Sequence, residues 1–218
     1  MGAIKLIAVV VAMCLGARAQ AARLDVSVNE TGGIGVADAV VTAVPQGGTA
    51  LPAAQSPPAT RTIDQKDQVF RPYVETFRPG DAVRFHNSDG TRHHVYSFSP
   101  LKAFEFVLAP GQTSTPQTLD STGVIAVGCN IHDQMVTYLY VSDAPWMART
   151  DREGHAQLAG LPAGRYEVRV WHPRLKPRQP DLVTIAVQVG AGETRAVPFR
   201  LALLPDPRMQ FDRERTRY

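Results

Sequence analysis

The feature that most constrains this chain is a two-residue alternation of side chains that recurs along most of its length. Leu24, Val26 and Val28 alternate with polar residues, Val83, Phe85 and Asn87 with Arg84 and His86, and Phe104, Phe106 and Leu108 with Glu105 and Val107. Val183, Ile185, Val187 and Val189 repeat the pattern near the end. A β-strand points successive side chains to opposite faces, so this period predicts strands with one buried face. Turn signals separate the runs: Gly32-Gly33, Pro79-Gly80, Thr150-Asp151-Arg152-Glu153-Gly154 and Leu161-Pro162-Ala163-Gly164. Residues 46–60, rich in Gly, Ala and Pro, read as a loop, and Pro72 inside the strand-like run 69–77 predicts an edge or a bulge. The class is therefore all-β, and 218 residues can bury one substantial core or two small ones.

The two ends read differently. Met1 to Ala21 has the form of a signal peptide: Lys5 gives a positive start, Leu6 to Leu15 is apolar but short for a membrane span, and small residues at Ala17, Ala19 and Ala21 offer cleavage after Ala19 or Ala21. Cys14 would suit a lipoprotein only with a small residue before it, and Met13 stands there. The expectation is a periplasmic or secreted protein with no integral membrane segment after cleavage. The formal charge of +3 is modest, and Arg208, Arg213, Arg215 and Arg217 in the tail 205–218 exceed the whole surplus. That end reads as solvated, and no nucleic-acid partner is expected.

Removing the leader leaves Cys129 as the sole cysteine, which excludes an internal disulfide and a two-cysteine binuclear copper centre. An unpaired thiol in an oxidising compartment is a liability. Alone it would read as a small buried hydrophobe. Its neighbours argue otherwise, because Gly128-Cys129-Asn130-Ile131-His132-Asp133-Gln134-Met135 gathers thiolate, imidazole and thioether in one turn. Sulfur plus imidazole favours copper, and two His, one Cys and a weak axial Met form the blue-copper arrangement. The second imidazole must come from elsewhere. His93 and His94, at the start of a strand-like run, are the candidates. His86, His155 and His172 read as surface histidines and Trp171 as a packed indole.

The run Pro79-Gly80-Asp81, then Val83, Phe85 and Asn87, then a His, then Cys129, His132 and Met135, resembles the cupredoxin (plastocyanin-like) family. His93-His94-Val95-Tyr96-Ser97-Phe98-Ser99 and Cys129-Asn130-Ile131-His132-Asp133 extend the resemblance to a bacterial branch labelled methylamine utilisation protein-like. It spans about residues 24 to 175 and implies a Greek-key β-sandwich holding one type 1 copper ion. The family's ligand stands four residues before a core aromatic or apolar position. His94 and Phe98 match that spacing, so the implied set is His94, Cys129, His132 and Met135, with His93 second to His94. Gln134 stands where the branch has Trp.

The resemblance implies an exported electron carrier cycling Cu(I) and Cu(II) with a redox partner such as a cytochrome or dehydrogenase. His132 would be its electron port, rimmed by Pro100 and Leu101. Cys129 is flanked by Gly128 and Asn130, where copper enzymes place histidines leading to a second centre, so no enzyme is expected. Copper storage or delivery, or a metal-free interaction module, are the rival readings. Residues 22–142 would form the cupredoxin-like domain. In 143–204 the Asp151 to Gly154 turn and Leu161-Pro162-Ala163-Gly164-Arg165-Tyr166 resemble a small prealbumin-like or carboxypeptidase-regulatory-like β-sandwich unit.

Overall fold

The computed structural model describes residues 20–49, 51, 57–132, 134–176 and 183–208. Most of the expected leader and of the basic tail lies outside them. In chain order the strands are β1 (Ala22–Glu30), β2 (Val40–Gln46), β3 (Thr60–Lys66), β4 (Val69–Arg71), β5 (Val74–Phe77), β6 (Ala82–Asn87), β7 (His93–Ser99) and β8 (Lys102–Leu108). They continue as β9 (Gln117–Thr118), β10 (Gly123–Cys129), β11 (Val136–Val141), β12 (Trp146–Arg149), β13 (His155–Leu161), β14 (Gly164–Trp171), β15 (Val183–Val189) and β16 (Thr194–Leu201). The all-β class predicted from alternation is the class observed. Pro72, which cannot donate to a ladder, falls between β4 and β5.

The strands form two sandwiches. In the first, the sheet β4-β3-β6-β9 and the sheet β5-β11-β10-β7-β8 bury Ile63, Phe70, Phe85, Val95, Val127 and Leu139 between them. In the second, β13-β1-β16 and β12-β2-β14-β15 bury Leu24, Val26, Val41, Val168 and Phe199. Each strand contributes the apolar half of its alternation, as in β1, where Ala22, Leu24, Val26 and Val28 are buried and the residues between them more open.

The division expected between residues 142 and 143 is corrected by the pairing. β1 runs parallel to β16 from Arg23↔Thr194 to Glu30↔Leu201 and antiparallel to β13, while β2 lies between β12 and β14. The opening strands thus complete the second sandwich, and residues of the first are inserted between β2 and β12. Alternation fixes which face of a strand is buried but is silent on which sheet receives it.

Where the sandwiches meet, Val40 and Trp171 pack with Tyr73, Val74 and Tyr140. Tyr140 and Trp171 have ring centroids 5.2 Å apart, and the Arg208 guanidinium lies 3.5 Å from the Tyr73 centroid. Trp171 is packed, as expected. His172 is not the surface residue expected: it is 3% exposed, and its Nδ1 accepts the Arg174 N–H at 3.2 Å. Burial, then the nearby Arg174 and Arg208 cations, push its pKa down to about 4.

Candidate metal centre

The hairpin β7–β8 decides which of the adjacent histidines faces inward. Its turn at Pro100 and Leu101 sets the register Ser99↔Lys102, from which follow Ser97↔Phe104, Val95↔Phe106 and His93↔Leu108. Directly opposed residues share a sheet face, so His93, Val95 and Ser97 join the core face of Phe104, Phe106 and Leu108. His94, Tyr96 and Phe98 point outward. His93 is 0% exposed, whereas Phe98, expected to mark the core face, is 77% exposed.

The inward placement expected of His94 is accordingly corrected: its ring lies on the outer face. Its Nε2 lies 2.7 Å from Glu105 Oε1 and its Nδ1 3.3 Å from Asn130 Nδ2. Its carbonyl accepts the Asn130 N–H at 2.9 Å, so it braces the outside of the cysteine loop. His93 takes the inner place.

Cys129 ends β10 opposite Val95, which turns its side chain to the same core. It is 3% exposed, and its Sγ lies 3.6 Å from His93 Nδ1. One donor atom from each of His93, Cys129 and His132 falls within 4.8 Å of the others, and the two imidazole centroids are 5.3 Å apart. Ligands at about 2.0 Å (N) and about 2.3 Å (S) from a shared ion at near-tetrahedral or trigonal angles are roughly 3.5–3.7 Å apart. The Cys129–His93 separation fits that spacing, and a thiolate with two imidazoles suits copper.

The loop from Cys129 to Met135 closes on itself. The Cys129 N–H donates to the Met135 carbonyl at 3.1 Å and the Met135 N–H to the His132 carbonyl at 3.0 Å. Met135 is itself buried. Before Cys129, Gly128 lies under the Tyr96 ring, where an added Cβ would sit 2.9 Å from the Tyr96 Cζ and hydroxyl oxygen. The outward aromatic therefore requires a residue without a side chain at that point.

A second layer holds His93. Asn87 is fully buried, and its Nδ2 donates to the carbonyls of Thr91 (2.8 Å) and Leu108 (3.0 Å), which shapes the loop leading into β7. Asp89, in that loop, places Oδ2 2.8 Å from His93 Nε2. Its burial alone would raise the carboxyl pKa, but hydrogen bonds from the Gln68 N–H, from His93 and from the Asp67 N–H outweigh that and hold it below the usual carboxylate range. The residue reading missed Asp89. Its only sequence signal is a carboxylate four residues before the inward histidine.

The rim expected from Pro100 and Leu101 is also corrected. They form the turn at the far end of β7 from His93, and Leu101 packs against Gly123 at the far end of β10 from Cys129. Ile131, 51% exposed, and Gln134, also exposed, lie beside His132 instead.

No protein-family model matches the chain, and a search of curated proteins finds no match. Solved structures do match. A part covering 44% of the chain is similar to 25% of the copper-containing nitrite reductase of Thermus scotoductus SA-01, with 21% identity and a TM-score of 0.36. For a purple cupredoxin from Nitrosopumilus maritimus the values are 37% of this chain, 98% of that chain, 20% identity and a TM-score of 0.33. A reduced amicyanin variant is matched over 99% of its length by 46% of this chain, with 17% identity and a TM-score of 0.36. The chain thus spans a quarter of the nitrite reductase and nearly all of the two smaller proteins.

Proposed function

We propose that this chain is a mononuclear type 1 copper protein that carries electrons, in which His93, Cys129 and His132, together with Met135, would hold the metal. The observation that carries the reading is the convergence of His93, Cys129 and His132 donor atoms within 4.8 Å, around the one free cysteine among the described residues. Bound copper would supply a one-electron couple between Cu(I) and Cu(II). The protein's part is to hold the donors and keep water out. His93 and Cys129 are buried, so the inner side of the site is dry, while His132 is partly exposed beside Ile131 and offers the electron a way out.

Cys129 is bordered by Gly128 and Asn130, which gives no covalent histidine route to a second metal, so carriage is favoured over catalysis. In this reading the protein is exported by its leader and meets a redox partner at the Ile131–His132 face. The test is the spectrum of the Cu(II)-loaded mature protein. An intense visible thiolate-to-copper band is expected, absent in Cys129→Ser; a colourless Cu(II) complex refutes the reading.

A further inference from the structure

We infer that Asp89 is a positioning residue of the metal centre, fixing the tautomer of His93 and lowering the reduction potential of the copper. This rests on the copper reading above. The Asp89 carboxylate is 12% exposed, and its Oδ2 is 2.8 Å from Nε2 of the fully buried His93. Nε2 therefore carries the proton and donates it. The Nδ1 lone pair is left pointing at Cys129 Sγ, 3.6 Å away, which is the form a ligand needs.

Asp89 does not reach His93 by chance placement of a surface side chain. Its Oδ1 accepts the Asp67 N–H at 2.6 Å and its Oδ2 the Gln68 N–H at 3.0 Å. Its own N–H donates to Asn87 Oδ1 at 3.0 Å. Asp67 and Gln68 form the two-residue turn between β3 and β4, both with φ 58°, a left-handed conformation that residues other than glycine seldom adopt. The turn thus aims two consecutive N–H groups at the carboxylate, and the sheet opposite β7 is tied to the ligand through it. Three donors converge on the carboxylate, whose two oxygens, acceptors only in the ionised form, have room for all of them.

A carboxylate behind a ligating histidine raises the basicity of the coordinating nitrogen and brings negative charge towards the ion. Both effects favour the more highly charged Cu(II) over Cu(I), so the potential falls. In Asp89→Asn the preference for Cu(II) over Cu(I) should weaken about tenfold, a rise of about 59 mV for a one-electron couple. Asp89→Glu, which keeps the charge, should retain most of the wild-type potential. A brace with no electrostatic role would lower the melting temperature of Asp89→Asn and leave the potential where it was.

Two measurements decide the matter. Long-range ¹H–¹⁵N NMR of the wild-type apoprotein reads the His93 tautomer without metal or variant: protonated Nε2 is expected, and protonated Nδ1 overturns the inference even if Asp89→Asn fails to fold. Redox titration of the copper forms reads the potential. An unchanged potential in Asp89→Asn with an intact visible band overturns the inference and leaves the copper reading standing, whereas a wild type without the band sinks that reading and leaves the tautomer result to be judged alone.

Discussion

The exchange of His94 for His93 as ligand can be tested by truncating each in turn. In His93→Ala the variant loses a fully buried ring that faces Cys129 on one side and donates to Asp89 on the other. Removing a donor from this partly buried carboxylate costs about 1.5–3 kcal/mol, so the apoprotein should unfold at visibly lower denaturant. Under the copper reading the metal would lose one of its imidazoles, and the visible band should vanish at stoichiometric Cu(II). His94→Ala removes a pair in which the Glu105 side chain is 58% exposed, a contact worth about 0–1 kcal/mol. It also removes the ring contact with Asn130 Nδ2 while the Asn130 N–H bond to the residue 94 carbonyl stays, so copper affinity should fall by no more than about tenfold and the colour should persist. Chemical denaturation of the two apoproteins and Cu(II) titration followed by absorption supply both readouts. Retention of the band in His93→Ala with its loss in His94→Ala would refute the face assignment derived from the hairpin register.

Met135→Leu should keep the band and shift the potential, measured by redox titration; an unchanged potential rejects axial ligation. His172 binds its proton near pH 4 in the folded protein and near 6.5 in the unfolded chain. The unfolded state therefore holds more protons between these values, and stability should fall by about 3 kcal/mol as pH drops from 6.5 to 4, then cease to change on this account. Denaturant midpoints across that window should show the slope, and His172→Gln should flatten it. Gly128→Ala should destabilise by about 1–3 kcal/mol through the Tyr96 ring, and Tyr96→Ala in the same chain should recover most of the loss, as a double-mutant cycle in calorimetry would show.

Much of the fold and part of the site were legible because alternation is a direct record of strand burial. Val83, Phe85 and Asn87 are buried while Arg84 and His86 are not, as their spacing requires. The choice between His93 and His94 was legible too, but only by counting across the turn. Glu105 marks the outer face of β8, and the two-residue turn at Pro100 and Leu101 carries that face to His94. Matching Phe98 to the family's core position four residues after the ligand inverted the strand. His172 and the membership of β1 and β2 were harder, since the groups acting on the first include Arg208 and Ala37 from distant parts of the chain, and the partners of the second lie more than a hundred residues away. Asp89 was invisible because its meaning comes from the Asp67–Gln68 turn, which reaches it only when two sheets stack.

The hydrogen bonds that build the site run between groups of the protein itself. Asn87 fixes the loop before β7, Asp89 the ring of His93, and the Asn130 N–H to His94 carbonyl bond joins the cysteine loop to that strand. The Cys129–Met135 and Met135–His132 main-chain bonds then set the span over which the remaining donors can move. A cage held by the protein in this way resists following the ion's own preference when its charge changes. Little rearrangement on gaining or losing an electron is what fast transfer needs, whereas a delivery protein needs a cage that opens. Under the copper reading proposed above, bracing of His93 and Cys129 by the protein's own hydrogen bonds argues for carriage over delivery, and slow electron self-exchange combined with fast loss of Cu(I) to a chelator would reverse that choice.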